Sequence, residues 1–128
     1  MLCFHEFGAP VEVGPGVVEA TCKLCSTKLA VHSDSYSGAF AIFERRERER
    51  ADLLARVFKA LGREDALARS VASVMWFYRL GLYVPEEAQR AIMFEVGCSA
   101  DKAREMFLAI IEQGNGGRDD AFSPDSRG

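Results

Sequence analysis

Cys3 and His5 near the start of the sequence, and Cys22 and Cys25 further on, gather most of the chain's metal-binding residue types into one short stretch. The chain has four cysteines and two histidines in all. The second pair reads ATCKLCSTKLAV, a Cys-x2-Cys between residues with strand character. Such a turn aims both sulfurs to one side of a tight loop. Cys3 and His5 stand two apart, so an extended backbone projects both side chains from the same face. Zinc takes thiolates and imidazoles tetrahedrally, and four protein ligands make a closed, structural site. The expectation is one structural Zn2+ on Cys3, His5, Cys22 and Cys25. His32, seven residues past Cys25, is the rival fourth ligand. Two other readings compete: buried thiols without a metal, and a redox Cys-x2-Cys. Redox pairs sit at a helix N-terminus, which lowers the thiol pKa, whereas TKLAV reads as strand. Catalytic zinc needs an open coordination position and a nearby base, and no His-x-Glu or His-Glu-x2-His string is present.

A stretch of this length cannot bury enough apolar surface to fold unaided, and a metal is a common remedy. Its remaining residues fit a small β module. LCFHEF suits a short strand, and VEVGPGVVEATC places a Gly14-Pro15-Gly16 turn between two valine-rich runs, a hairpin signal. STKLAVH continues as a third strand. SDSYSG is a polar loop with Ser35 and Ser37 as helix-capping candidates.

From about Ala39 the period changes to that of a helix. Phe40 and Phe43 precede ERRERER, and Leu54, Val57, Phe58 and Leu61 then share one face up to Gly62. A second helix runs from about Glu64 to Leu80, and its MWFYRLGLY stretch marks it as the most buried. Pro85 opens a third, with Glu86 and Glu87 in its first turn, and Gly97 ends it. Ser99 caps a fourth, whose Ala103, Met106, Phe107, Ile110 and Ile111 form the apolar stripe. The expected fold class is therefore α+β: a zinc-stapled, hairpin-based three-stranded module over residues 1–38, a four-helix domain over 39–113, and a disordered Gly-, Asp- and Ser-rich tail over 114–128.

The N-terminal pattern resembles a zinc ribbon, the hairpin-based zinc module common in transcription and translation proteins. The likeness covers residues 1–32; CKLC matches that family's knuckle, and Cys3-x-His5 departs from its usual second Cys-x2-Cys. IMFEVGCSADKAREMFLAI resembles a helix-turn-helix, with Gly97, Ser99 and Ala103 at the turn and cap positions and Ile92, Val96 and Met106 at core positions. Met93 stands where that family has a small residue. The two resemblances imply a nucleic-acid setting.

Charge gives that setting a mixed reception. The net charge is −3, with nine Lys/Arg against six acids over residues 44–83 and three against six over 84–113. Arg45, Arg46, Arg48 and Arg50, with Lys102 and Arg104, are the candidate contacts for phosphate or a partner. Glu44, Glu47 and Glu49 interleave with those arginines at helical pairing distance, which favours a self-paired, solvated face. Trp76, Phe77, Tyr78 and Tyr83 suit a core better than a base-stacking platform. The expected function is a non-enzymatic zinc-binding accessory or regulatory protein of the transcription or translation machinery, in contact with DNA or RNA. The alternative is a purely protein-binding subunit or inhibitor docking through its helices onto a larger complex. No small-molecule substrate is expected. With no signal-like start and no apolar run long enough to span a membrane, the cytoplasm is the expected compartment.

Overall fold

The computed structural model describes residues 3–116. It is an α+β fold: a three-stranded antiparallel sheet followed by four helices. The chain forms two compact units, His5–Ala51 and the helical remainder from Asp52, with which Cys3 and Phe4 also group.

In the first unit, β1 (Val11–Gly14), β2 (Val17–Thr21) and β3 (Lys28–His32) are joined in sequence order. Pro15-Gly16 closes the hairpin, and the β1–β2 register slips between Glu12 and Gly14. Gly16 is required there: its φ is +70, and a Cβ would lie 2.2 Å from the Ser33 carbonyl oxygen. β2 pairs with β3 from Val17↔His32 to Thr21↔Lys28. The strand alternation buries Val18, Ala20 and Val31, and Phe7, Cys22, Ala39 and Phe43 complete the unit's buried apolar set. The Phe7 and Phe43 rings meet edge-on with centroids 6.5 Å apart.

Residues 2–7, expected as a strand, make only one bridge, Phe7 to Cys22. Two flanking hydrogen bonds, Gly8 N–H to Thr21 O (3.0 Å) and Lys23 N–H to Glu6 O (2.9 Å), fasten the segment across the end of β2. Turn 22–25 takes up the backbone that a longer ladder would need, so pairing stops there.

Helix α1 runs Tyr36–Leu61, beginning earlier than the periodicity from Ala39 predicts. Ser35 is its cap: its hydroxyl accepts the Gly38 N–H at 3.1 Å. Asp65 caps α2 (Ala66–Arg79) by accepting the Ala68 N–H at 3.1 Å. As the aromatic run suggested, α2 is the central helix; Ala68 and every residue from Ser70 to Trp76 are buried. Around it pack Phe4, Leu53, Val57, Ile92, Ala103, Phe107 and Ile110. Phe4 meets Trp76 edge-on at 6.5 Å, Tyr78 meets Phe107 at 5.1 Å and Phe77 meets Tyr83 at 6.1 Å. These aromatics therefore spend their faces on the core.

Helix α3 (Pro85–Val96) opens with the Glu87 carboxylate accepting the Val84 N–H at 3.0 Å. It closes at Gly97, whose φ of 76° lets its N–H return to Met93 O at 2.8 Å. After Cys98, Ser99 caps α4 by accepting the Lys102 N–H at 3.2 Å. α4 (Ala100–Gly116) takes in Gly114–Gly116, which the sequence assigned to the tail; residues 117–128 lie outside the described residues.

Candidate metal centre

The isolated bridge at Phe7 and the end of β2 determine the site. Holding residues 6–8 against residues 21–23 sets His5 beside the Cys-x2-Cys turn, and Cys3 follows two residues back. The turn itself is closed by Ser26 N–H to Cys22 O (3.0 Å) and Cys22 N–H to Thr27 O (2.8 Å). Ser26 takes φ +67, the single non-glycine residue with positive φ among the described residues. This left-handed step turns the chain from the loop into β3.

One donor atom each from Cys3, His5, Cys22 and Cys25 lies within 4.8 Å of all the others. The four are close enough to hold a metal ion. A tetrahedral Zn2+ with Zn–S of about 2.3 Å and Zn–N of about 2.0 Å sets donors about 3.5–3.8 Å apart. Cys25 Sγ and His5 Nδ1 stand at 3.3 Å, already at that spacing. The widest separation needs to contract by about 1 Å, within the reach of side-chain rotation. Three sulfurs and one imidazole suit zinc chemically; the hard, all-oxygen preference of Ca2+ or Mg2+ does not fit them.

The surroundings match the ligands. The Leu24 N–H points at Cys22 Sγ, 3.3 Å away, and Cys25 Sγ lies 3.0 Å from Thr27 Oγ1. Burial raises the Cys22 pKa, but hydrogen bonds from the backbone of Glu6 and Leu24, from the His5 side chain and from the backbone of Cys25 outweigh it. The net value falls from 9.0 to about 6. The lowering favours the thiolate, the form a metal binds. Solvent access is graded: Cys22 is buried, Cys3 and His5 are half-buried, and Cys25 is exposed. His32 stands exposed at the end of β3, opposite Val17, and is not part of the cluster. Cys98 is half-buried in the α3–α4 turn, also outside it.

The cationic candidates have diverse surroundings. Arg45, Arg46 and Arg48 are exposed on the first half of α1. Arg50 is not: its side chain is 12% exposed, it pairs with Glu47, and its guanidinium covers the Phe7 ring at 5.1 Å. Burial lowers its pKa, with Glu47 opposing. Lys102 and Arg104 are exposed on α4, and Lys102 reaches Glu105 at 3.5 Å. Sequence reasoning missed Thr27 and Ser26; the residue after a tight Cys-x2-Cys loop is where a left-handed step is needed, which is the signal for Ser26.

Two grooves of about 380 and 400 Å³ lie by the C-terminal end of α1, and neither is lined by histidine or cysteine. Among the described residues, no helix is long and apolar enough to cross a membrane. Comparison of the chain with protein-family models, with curated proteins and with solved structures returned no match.

Proposed function

We propose that this chain is a non-enzymatic accessory protein whose N-terminal unit is held by a structural zinc and which acts by docking onto a larger protein assembly. One observation carries the docking: large apolar side chains stand in water along the helices. Leu80, Leu82 and Val84 are 54–65% exposed in and beside the α2–α3 turn, and Phe94 is 84% exposed on α3. A burial of one such side chain against a partner is worth about 1.5–3 kcal/mol. The closed ligand set supports a structural metal.

A second reading is favoured by Arg45, Arg46 and Arg48, which stand exposed together on α1. It places the protein on DNA or RNA, as the zinc-ribbon and helix-turn-helix resemblances imply. The exposed carboxylates Glu44, Asp101 and Glu105 among or near the cations weigh against it.

Titrating duplex and single-stranded nucleic acid across a salt series separates the two. Docking on protein predicts no binding, or a log–log salt slope near zero. Three arginine–phosphate contacts predict a slope of about −2 to −3. In parallel, Phe94→Ser should keep zinc content and fold while losing partners captured from the native host by the wild-type protein. Equal capture by both would remove Phe94 as the docking residue.

A further inference from the structure

The four candidate ligands differ in one respect that a purely structural site does not require, namely their access to solvent. Cys22 is 2% exposed and lies under the Leu24 N–H, while Cys25 is an exposed residue on the same turn. Its sulfur has only the Thr27 hydroxyl at 3.0 Å and His5 Nδ1 at 3.3 Å as polar neighbours described around it. Cys22 Sγ lies within 4.8 Å of Cys25 Sγ. The Cys25 sulfur thus sits on an exposed residue with the Cys22 sulfur within 4.8 Å of it, on a turn whose spacing permits a disulfide.

We propose that Cys25 is a site of oxidation by hydroperoxides, and that its oxidation discharges the metal by forming a Cys22–Cys25 disulfide. The proposal rests on the metal reading above and adds regulation to it. In the first step the Cys25 sulfur attacks one peroxide oxygen. The O–O bond breaks, an S–O bond forms, and the other oxygen leaves as hydroxide, or alkoxide for an organic peroxide, and takes a proton. In the second step the Cys22 thiolate attacks the Cys25 sulfenic sulfur. An S–S bond forms, the S–O bond breaks, and hydroxide leaves and is protonated to water. The two sulfurs together lose two electrons, and the peroxide gains them. The metal keeps its charge throughout and leaves because two of its four ligands are gone. What remains, Cys3 and His5, cannot hold it.

The turn makes the order of events definite. Cys22 is shielded, so attack begins at Cys25; Cys22 is close, so the sulfenic acid is resolved before further oxidation. Thiol reductants reverse the disulfide and restore the site.

The test uses the full chain reconstituted with zinc, treated with hydrogen peroxide in the presence of a chromogenic zinc chelator. Cleavage by trypsin at Lys23 and by a glutamyl endopeptidase at Glu6, Glu12 and Glu19 puts Cys3, Cys22 and Cys25 on three separate peptides, so a Cys22–Cys25 disulfide is told from one to Cys3 by the mass of the linked pair. The expected result is zinc release in step with that linked pair, complete at one disulfide per chain and reversed by dithiothreitol plus zinc. Cys98→Ser should behave identically. Retention of zinc in excess peroxide overturns the proposal, as does release with Cys25 sulfinic acid and no disulfide, or with a disulfide to Cys3 or Cys98. If the chain binds no zinc before peroxide is added, the metal reading itself has failed, which is a separate outcome.

Discussion

Ser26 occupies a left-handed backbone conformation that costs an ordinary L-residue about 1–2 kcal/mol, at the exit of the metal-binding turn. Glycine removes that cost but gives back part of it through the freer unfolded chain. Ser26→Gly is expected to stabilise the zinc-loaded protein by up to about 1 kcal/mol, read as a raised urea midpoint with an unchanged slope. A lowered midpoint would mean that the serine side chain supports the turn. Asp65 has a second testable role. Its carboxylate takes the Arg63 guanidinium at 2.8 Å from Nε and the Ala68 N–H at 3.1 Å, and these hold its pKa below the usual carboxylate value. A depressed folded pKa means that this stabilisation is present above the unfolded value of about 3.9 and is lost as pH falls through the folded one. Asp65→Asn keeps a capping oxygen without the charge. Wild type should exceed the variant in stability at pH 6, and the difference should shrink below about pH 4. A gap independent of pH would assign the effect to geometry instead of charge.

At the scale of elements, the α3–α4 connection shows how tight local chemistry sets a boundary. Gly97 terminates one helix in a conformation open to glycine, and Ser99 starts the next. Ser99→Ala removes the acceptor for the Lys102 N–H and should cost about 1 kcal/mol of stability, measured by denaturant unfolding; no loss would show that water replaces the hydroxyl. Boundaries of this kind were legible because a single residue type encodes them: Pro85, Gly97, Ser99, and the Gly14-Pro15-Gly16 turn. The metal cluster was legible for the same reason, since Cys22 and Cys25 need only their spacing and Cys3 and His5 only an extended backbone. The strand expected over residues 2–7 was not, because alternation in LCFHEF says nothing about whether a partner edge exists, and β2 offers one only as far as Cys22. Nor was the burial of Arg50: a guanidinium in a Glu/Arg run reads as solvated until Phe7 is seen beneath it.

For the whole molecule, the contrast between the two units' cores decides what metal removal does. The helical unit buries a cluster from Leu53 to Ile110 around α2, in which Val57, Ala68, Val71, Ala72, Val74, Met75, Ala88, Ile92 and Ile110 are fully inaccessible. The unit from His5 to Ala51 has a shorter set, chiefly Phe7, Val18, Ala20, Val31, Ala39 and Phe43, with Cys22 among them. Small cores of that kind rely on a staple, and structural zinc supplies folding energy outright. Removing the metal leaves hydrogen bonds such as Cys25 Sγ to His5 Nδ1 at 3.3 Å and Leu24 N–H to Cys22 Sγ at 3.3 Å to oppose the chain entropy of the turn. The expected result of adding a strong chelator is selective: amide protection falls in β1, β2 and β3, while α2, α3 and α4 keep theirs. Hydrogen exchange read by mass spectrometry, with and without chelator, resolves the segments. Cys22→Ser should reproduce the chelator pattern without chelator, because it removes the most buried ligand. Full protection of the strands in chelator would make the cluster dispensable to the fold, and equal loss in the helices would make the two cores one cooperative unit.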